Sequence, residues 1–258
     1  KPIPLEQGSQ YLVYRDSLDD QGDYLRLDVS WFCDRTPYHL ATPDLLRIAG
    51  KKLISGLGSL LIVRRQGLLE TKRTPQVAAV TGKAGARGGA ALSMLVPQMS
   101  YGSWRRTVLH RTGRQTVCVD EVVPTAAGEL EISADWKITG PANVQQQNGI
   151  GSARSATVEL LCAGVDELTA VDGIPRLLAH GDLKAGQPRR LLTILAPAGK
   201  THRRLGRLGP QVYGLDGEAL VITGPARWGD LGVKAAALYL DRGTLLAAEL
   251  THLQLGEW

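Results

Sequence analysis

The feature that most restricts this chain is its punctuation. Short β-branched or leucine-rich runs are cut at regular intervals by turn residues. Examples are Gln10–Arg15, Asp23–Val29, Ser59–Arg64, Gln76–Val80, Ala90–Val96, Trp104–Arg111, Gln115–Val123, Glu129–Ile138 and Thr157–Leu161. The last third adds Arg190–Leu195, Ala219–Thr223, Ala236–Leu240 and Leu245–Leu250. Thr112-Gly113, Asp172-Gly173, Asp216-Gly217 and Arg242-Gly243 lie between such runs, and glycine at the second turn position supplies the positive φ that tight hairpins require. Runs of this length at this spacing do not give amphipathic helices; they give sandwiches and barrels. The pattern predicts an all-β fold, a large antiparallel multi-stranded β-sandwich of supersandwich type with very little helix.

Pro43–Lys52 is the one stretch with helix-like composition, but Gly50 interrupts it, and a hairpin turning at Gly50-Lys51 is the better reading. Residues 140–155, with Gln145-Gln146-Gln147, are the most linker-like part of the chain. Because the strand pattern resumes at Ala156, this stretch reads as a long surface loop within one domain covering residues 1–258. A break between subdomains is the alternative there. The chain starts at Lys1 without a charged start or apolar stretch of a signal peptide, and reads as the C-terminal part of a longer protein.

With 258 residues, 43% of them hydrophobic, the chain has ample material for a core. No apolar run is long enough for a membrane-spanning helix, and no membrane association is expected. The formal charge of +5 admits an acidic partner without demanding one. Nucleic acid is not expected: the basic cluster His202-Arg203-Arg204 with Arg207 has no interleaved aromatics and reads as a solvated loop. Cys33, Cys118 and Cys162 show neither zinc nor redox spacing, and Cys118 and Cys162 sit in apolar runs as small core residues. Disulfide state and compartment stay open. There is no Gly-x-Ser-x-Gly elbow, Walker loop or HExxH, and no cofactor is implied.

Two segments carry chemistry. Residues 31–44 gather aromatic, basic and acidic side chains between two strands, where sites are usually built. There His39 suits a general base or metal ligand, Tyr38 a proton donor, and Arg35 a bidentate partner for a carboxylate, with Asp44 close by. The competing reading is that His39 and Tyr38 pack the loop. The second segment is Trp104-Arg105-Arg106 with Tyr101. An aromatic face and a guanidinium fork suit an anionic sugar. Side chains alternate along a strand, so only one of Arg105 and Arg106 faces a given groove, and Trp104 with Arg105 is the candidate substrate pair. An edge strand with solvated arginines is the simpler alternative.

The order of these segments resembles the C-terminal β domain of the heparinase II/III-like polysaccharide lyases. Tyr24-Leu25-Arg26-Leu27-Asp28 is similar to the strand before that family's His-rich loop. Tyr38-His39 through Asp44-Leu45-Leu46 is similar to the loop itself. Arg105–Leu109 and Val117–Val122 resemble its paired strands, and Leu130–Trp136 the next one. The resemblance covers about residues 10–140. It implies β-elimination on an acidic polysaccharide, with His39 and Tyr38 as the catalytic pair, an α/α-toroid domain upstream, and an extracellular or periplasmic setting.

The departures matter equally. The family loop reads His-x-His-x-Asp, whereas only His39 stands here and Asp44 follows it by five positions. A zinc site needs at least three well-placed ligands, so no bound metal is expected. Without a toroid, the isolated chain is expected to be inactive. Two further readings stand beside the lyase: a non-catalytic carbohydrate-binding module, and a structural or interaction β-sandwich.

Overall fold

The computed structural model describes residues 11–29, 42–69, 79–86 and 88–254, and among them there is no helix. The strands run in chain order as β1 Tyr11–Arg15, β2 Tyr24–Asp28, β3 Thr42–Ile48, β4 Lys51–Arg65, β5 Leu68–Leu69, β6 Ala79–Ala86, β7 Gly89–Met99 and β8 Gly102–Arg111. Next come β9 Gln115–Pro124, β10 Gly128–Ile138, β11 Asn143–Gln147, β12 Ile150–Arg154, β13 Val158–Ala163, β14 Glu167–Val171, β15 Ile174–Leu183 and β16 Arg189–Pro197. The last are β17 Leu205–Gly209, β18 Val212–Leu215, β19 Ala219–Ile222, β20 Ala226–Trp228, β21 Leu231–Lys234, β22 Ala237–Asp241, β23 Thr244–Ala248 and β24 His252–Gln254.

These strands form four antiparallel sheets. The first has the order β1-β2-β3-β4-β10-β15-β14, with β5 also on β4, and the second β11-β12-β13-β16-β9-β8-β7-β6. The third is β17-β18-β19-β22-β23 and the fourth β20-β21-β24. They stack in that sequence. Leu25, Leu46, Leu61 and Ile132 of the first sheet share a core with Met94, Val108, Cys118, Leu160 and Leu195 of the second. The opposite face of the second sheet, with Leu109, Val117, Val119, Leu161 and Ile194, packs on Leu205, Tyr213, Val221 and Tyr239 of the third. Val212, Ile222 and Leu238 then meet Leu231 and Val233 of the fourth. A sheet covered on both faces needs apolar side chains at consecutive positions. This is why Val158–Ala163 and Leu191–Ala196 read as unbroken buried runs, while β2 and β10 of the outer first sheet come closer to alternation.

Turn chemistry behaves as read, with two adjustments. The β3–β4 hairpin replaces the helix-like reading of its composition, but its loop is Ala49-Gly50 (φ 47° and 75°), one residue earlier than expected, because Ile48 pairs with Lys51. The linker-like stretch is a second hairpin. β11 and β12 pair from Asn143↔Arg154 to Gln147↔Ile150, with Asn148-Gly149 as the loop. The polarity of Gln145–Gln147 reflects an edge strand whose side chains face outward, and Asn-Gly is the hairpin signal that polarity obscured.

Candidate functional site

The loop with the most chemistry leaves the first sheet at β2 and returns at β3. Its residues 30–41, including Arg35, Tyr38 and His39, lie outside the described residues. The structure does define the strand ends that bound it. Asp28 and Thr42 are cross-strand partners at its two feet, and both are buried. A register shift between Arg26 and Leu27 accompanies this pairing. Next to it, the Arg26 Nε–H donates to both Asp44 oxygens, at 2.9 and 3.0 Å, and its Nη2 lies 2.8 Å from Asp44 Oδ2. The Arg26 guanidinium also lies 4.9 Å from the Tyr11 ring centroid. The hydrogen bond to Asp44 and its charge hold the Arg26 side chain above the usual arginine range, with partial burial opposing.

Asp44 is thus committed to an arginine, which makes it a poor metal ligand. Among the described residues no three His, Cys, Asp or Glu side chains converge on a point.

From the foot of the loop a polar chain runs into the core. The Thr42 hydroxyl donates to the Ser59 carbonyl (3.0 Å), and Arg106 Nη2 donates to the Ser59 hydroxyl (2.9 Å). Arg106 is fully buried. Its Nε and Nη2 donate to the two oxygens of Asp120 at 2.8 and 2.9 Å, and the Trp104 Nε1–H donates to Asp120 at 2.9 Å. The guanidinium lies between two indoles, 5.1 Å from the Trp104 ring centroid and 5.4 Å from that of Trp136. A bidentate pair flanked by two aromatic faces is an arrangement in which a charge tolerates a dry interior. The Trp136 Nε1–H, buried beside it, has no hydrogen-bond partner.

The sequence placed Trp104 and Arg105 in one patch, and the structure separates them. Trp104 is 1% exposed, so its ring offers no face to a ligand in this arrangement. Arg105 points through the other face of the second sheet, 3.4 Å from both Glu121 and Glu249 and away from the first sheet. The arginine that connects through Ser59 to Thr42 at the start of β3 is Arg106. A signal for it was present. The three-residue loop centred on Gly113 sets Arg106 opposite Asp120 and Arg105 opposite Glu121, so each charge in these apolar runs faces its complement. The basic cluster is also less free than a solvated loop: Arg203 Nη1 donates to Gln115 (2.9 Å), and the Arg203 amide donates to buried Glu159.

No protein-family model matches the sequence, and no curated protein matches it significantly. Solved structures do share its fold. The heparan sulfate lyase HepC from Pedobacter heparinus superposes with a TM-score of 0.58 at 11% identity, covering 98% of this chain and 42% of that one. A second structure, the heparinase III BT4657 gene product, gives 0.57 at 12%, covering 93% of this chain and 41% of that one. A further heparinase III structure gives 0.57 at 12%, with 94% and 41% covered. The described chain therefore has a heparinase-like β-sandwich fold, and it spans less than half the length of these proteins.

Proposed function

We propose that this chain is the β-sandwich part of a heparinase II/III-like polysaccharide lyase and acts on an acidic glycan by β-elimination. The likeness of fold over 93% or more of the chain to a heparan sulfate lyase and to heparinase III structures carries this reading. Support comes from the strands that bound the His39 segment, β2 and β3, which are tied by Arg26–Asp44, and from the buried Arg106–Asp120 pair that Thr42 and Ser59 connect to β3. In this reading Arg35 pairs with the uronate carboxylate and acidifies the adjacent C–H. His39 takes that proton, the bond to the leaving glycosidic oxygen breaks as the carbon–carbon double bond forms, and the Tyr38 hydroxyl protonates the oxygen. An α/α-toroid domain joined upstream supplies the rest of the cleft.

The test uses the longer protein that includes the upstream domain, mixed with uronate polymers. The new double bond raises ultraviolet absorbance, and His39→Ala removes that rise while the protein still folds. Inertness towards every uronate polymer, or unchanged cleavage by His39→Ala, overturns the lyase reading. The lack of a second loop histidine favours one other reading, a glycan-binding module without catalysis. Retained glycan binding in an inert protein would establish it.

A further inference from the structure

A second surface has the chemistry of a sugar site. The third and fourth sheets leave a groove of about 830 Å³ open between them. Its floor is unusual for a strand interior. Gly206 in β17 and Gly214 in β18 are cross-strand partners; the Leu208 side chain covers the Gly214 position, 3.3 Å from where a Cβ would sit, and the backbone at Gly206 is left bare. Glycine within a strand weakens it and often marks a place where something approaches the backbone closely. At Gly206 no protein atom explains the choice. A Cβ added there meets nothing within 4 Å, and its φ is not in the left-handed region.

The walls and rim complete the site. Trp228 of β20 is 40% exposed on one side, and Leu208 is 46% exposed. The Trp228 indole, left open in the same groove as Gly206, offers a flat apolar face. At the rim stand Arg204, Arg242 and Glu218, whose side chains make no hydrogen bond or ion pair among the described residues. Asp241, the other acid of the lining, is held by Arg111 and the Tyr239 hydroxyl, so two guanidinium groups stand against one carboxylate without a partner among the described residues, which favours a ligand with an anionic group. A pyranose chair presents a face of C–H groups to an indole and its hydroxyls at the edge, and a uronate adds the negative charge that the rim favours.

We infer that this groove binds a uronate-bearing sugar unit, its ring stacked on Trp228 beside the bare Gly206 backbone and its carboxylate held by Arg204 and Arg242. The inference shares the acidic-glycan chemistry of the proposed function but not its residues. The second and third sheets lie between the groove and the first sheet that carries the His39 loop, so each reading can fail without the other.

The test titrates the full chain with an oligogalacturonate hexamer, with neutral cellohexaose as the comparison, and follows tryptophan emission. The expected result is a saturable change with the uronate oligomer. Trp228→Ala abolishes this change. Gly206→Val, which fills the groove without backbone strain, weakens binding about tenfold or more at an unaltered thermal midpoint. Arg204→Gln with Arg242→Gln weakens it similarly, and His39→Ala binds as the parent does. Absent binding, equal binding by the Gly206→Val chain, or equal binding of cellohexaose overturns the inference.

Discussion

A single aspartate shows how much one side chain decides. Asp23 is almost fully buried between the first two sheets. Its Oδ1 accepts the Ala49 amide at 2.7 Å, and its Oδ2 accepts the Gly113 amide at 2.6 Å and pairs with His110 Nε2 at 2.9 Å. The other ring nitrogen of His110 lies 2.8 Å from the Thr116 hydroxyl. The Asp–His–Thr order has the look of a proton relay, but all three side chains are closed off from solvent, so it works as a tie between hairpin turns of two sheets. Burial pushes the Asp23 carboxyl up. His110 and the two amides outweigh that and hold it below its usual value. A carboxylate with a depressed folded-state pKa stabilises above the unfolded value and loses that stabilisation as pH falls through the folded one. Asp23→Ala should therefore cost on the order of 3 kcal/mol at neutral pH. Asp23→Asn should flatten the loss of stability below about pH 4. Urea unfolding at neutral and acid pH measures both, and a parent-like acid profile in Asp23→Asn would contradict this account.

At the scale of elements, hairpin loops set the register, and two glycines show different constraints. Gly149 ends the Asn148-Gly149 loop at φ 72° with open space around it. Gly164, at φ 78° after β13, has the Arg190 carbonyl oxygen 2.3 Å from where a Cβ would sit. Gly149→Ala should cost only the left-handed strain, about 1 kcal/mol. Gly164→Ala adds a backbone collision that no side-chain movement relieves, and should lower the thermal midpoint several-fold more. Equal shifts in the two melting curves would rule this out. The elements were largely legible beforehand, since Thr112-Gly113 and Asp216-Gly217 stand where the runs break. The β11–β12 hairpin was not, because β11 is a mostly exposed edge strand without apolar alternation and β12 fills its buried positions with Gly151 and Ala153, too small to give an apolar signal.

For the whole molecule, the central position of the second sheet governs chemical access. Cys118 in β9 and Cys162 in β13 both pair across to Thr193 of the intervening β16. Two strand spacings, about 9–10 Å, exceed the reach of a disulfide, and both thiols are free. Burial pushes each thiol up to about 12. Iodoacetamide should leave Cys118 and Cys162 unmodified in the folded chain and alkylate both in denaturant, as peptide mass spectrometry would show. Rapid labelling of either without denaturant would mean that the four-layer stack opens readily.

Local chemistry in the sequence was enough for the all-β class, for most strands and for the turns that join them. Side-chain alternation and the glycine at a turn are properties of neighbours in the chain. The sequence also marked Arg105, Arg106 and their acidic partners, and the hairpin centred on Gly113 pairs them by counting alone. What only the tertiary structure decided is which face of each strand meets which layer. Trp104 and Arg106 turn inward to the first sheet, while Arg105 turns towards Glu249, a residue more than a hundred positions away. The groove over Gly206 was equally invisible, because it forms only where the third and fourth sheets diverge. Burial is settled by the partner sheet, and no local run of residues encodes which sheet that will be.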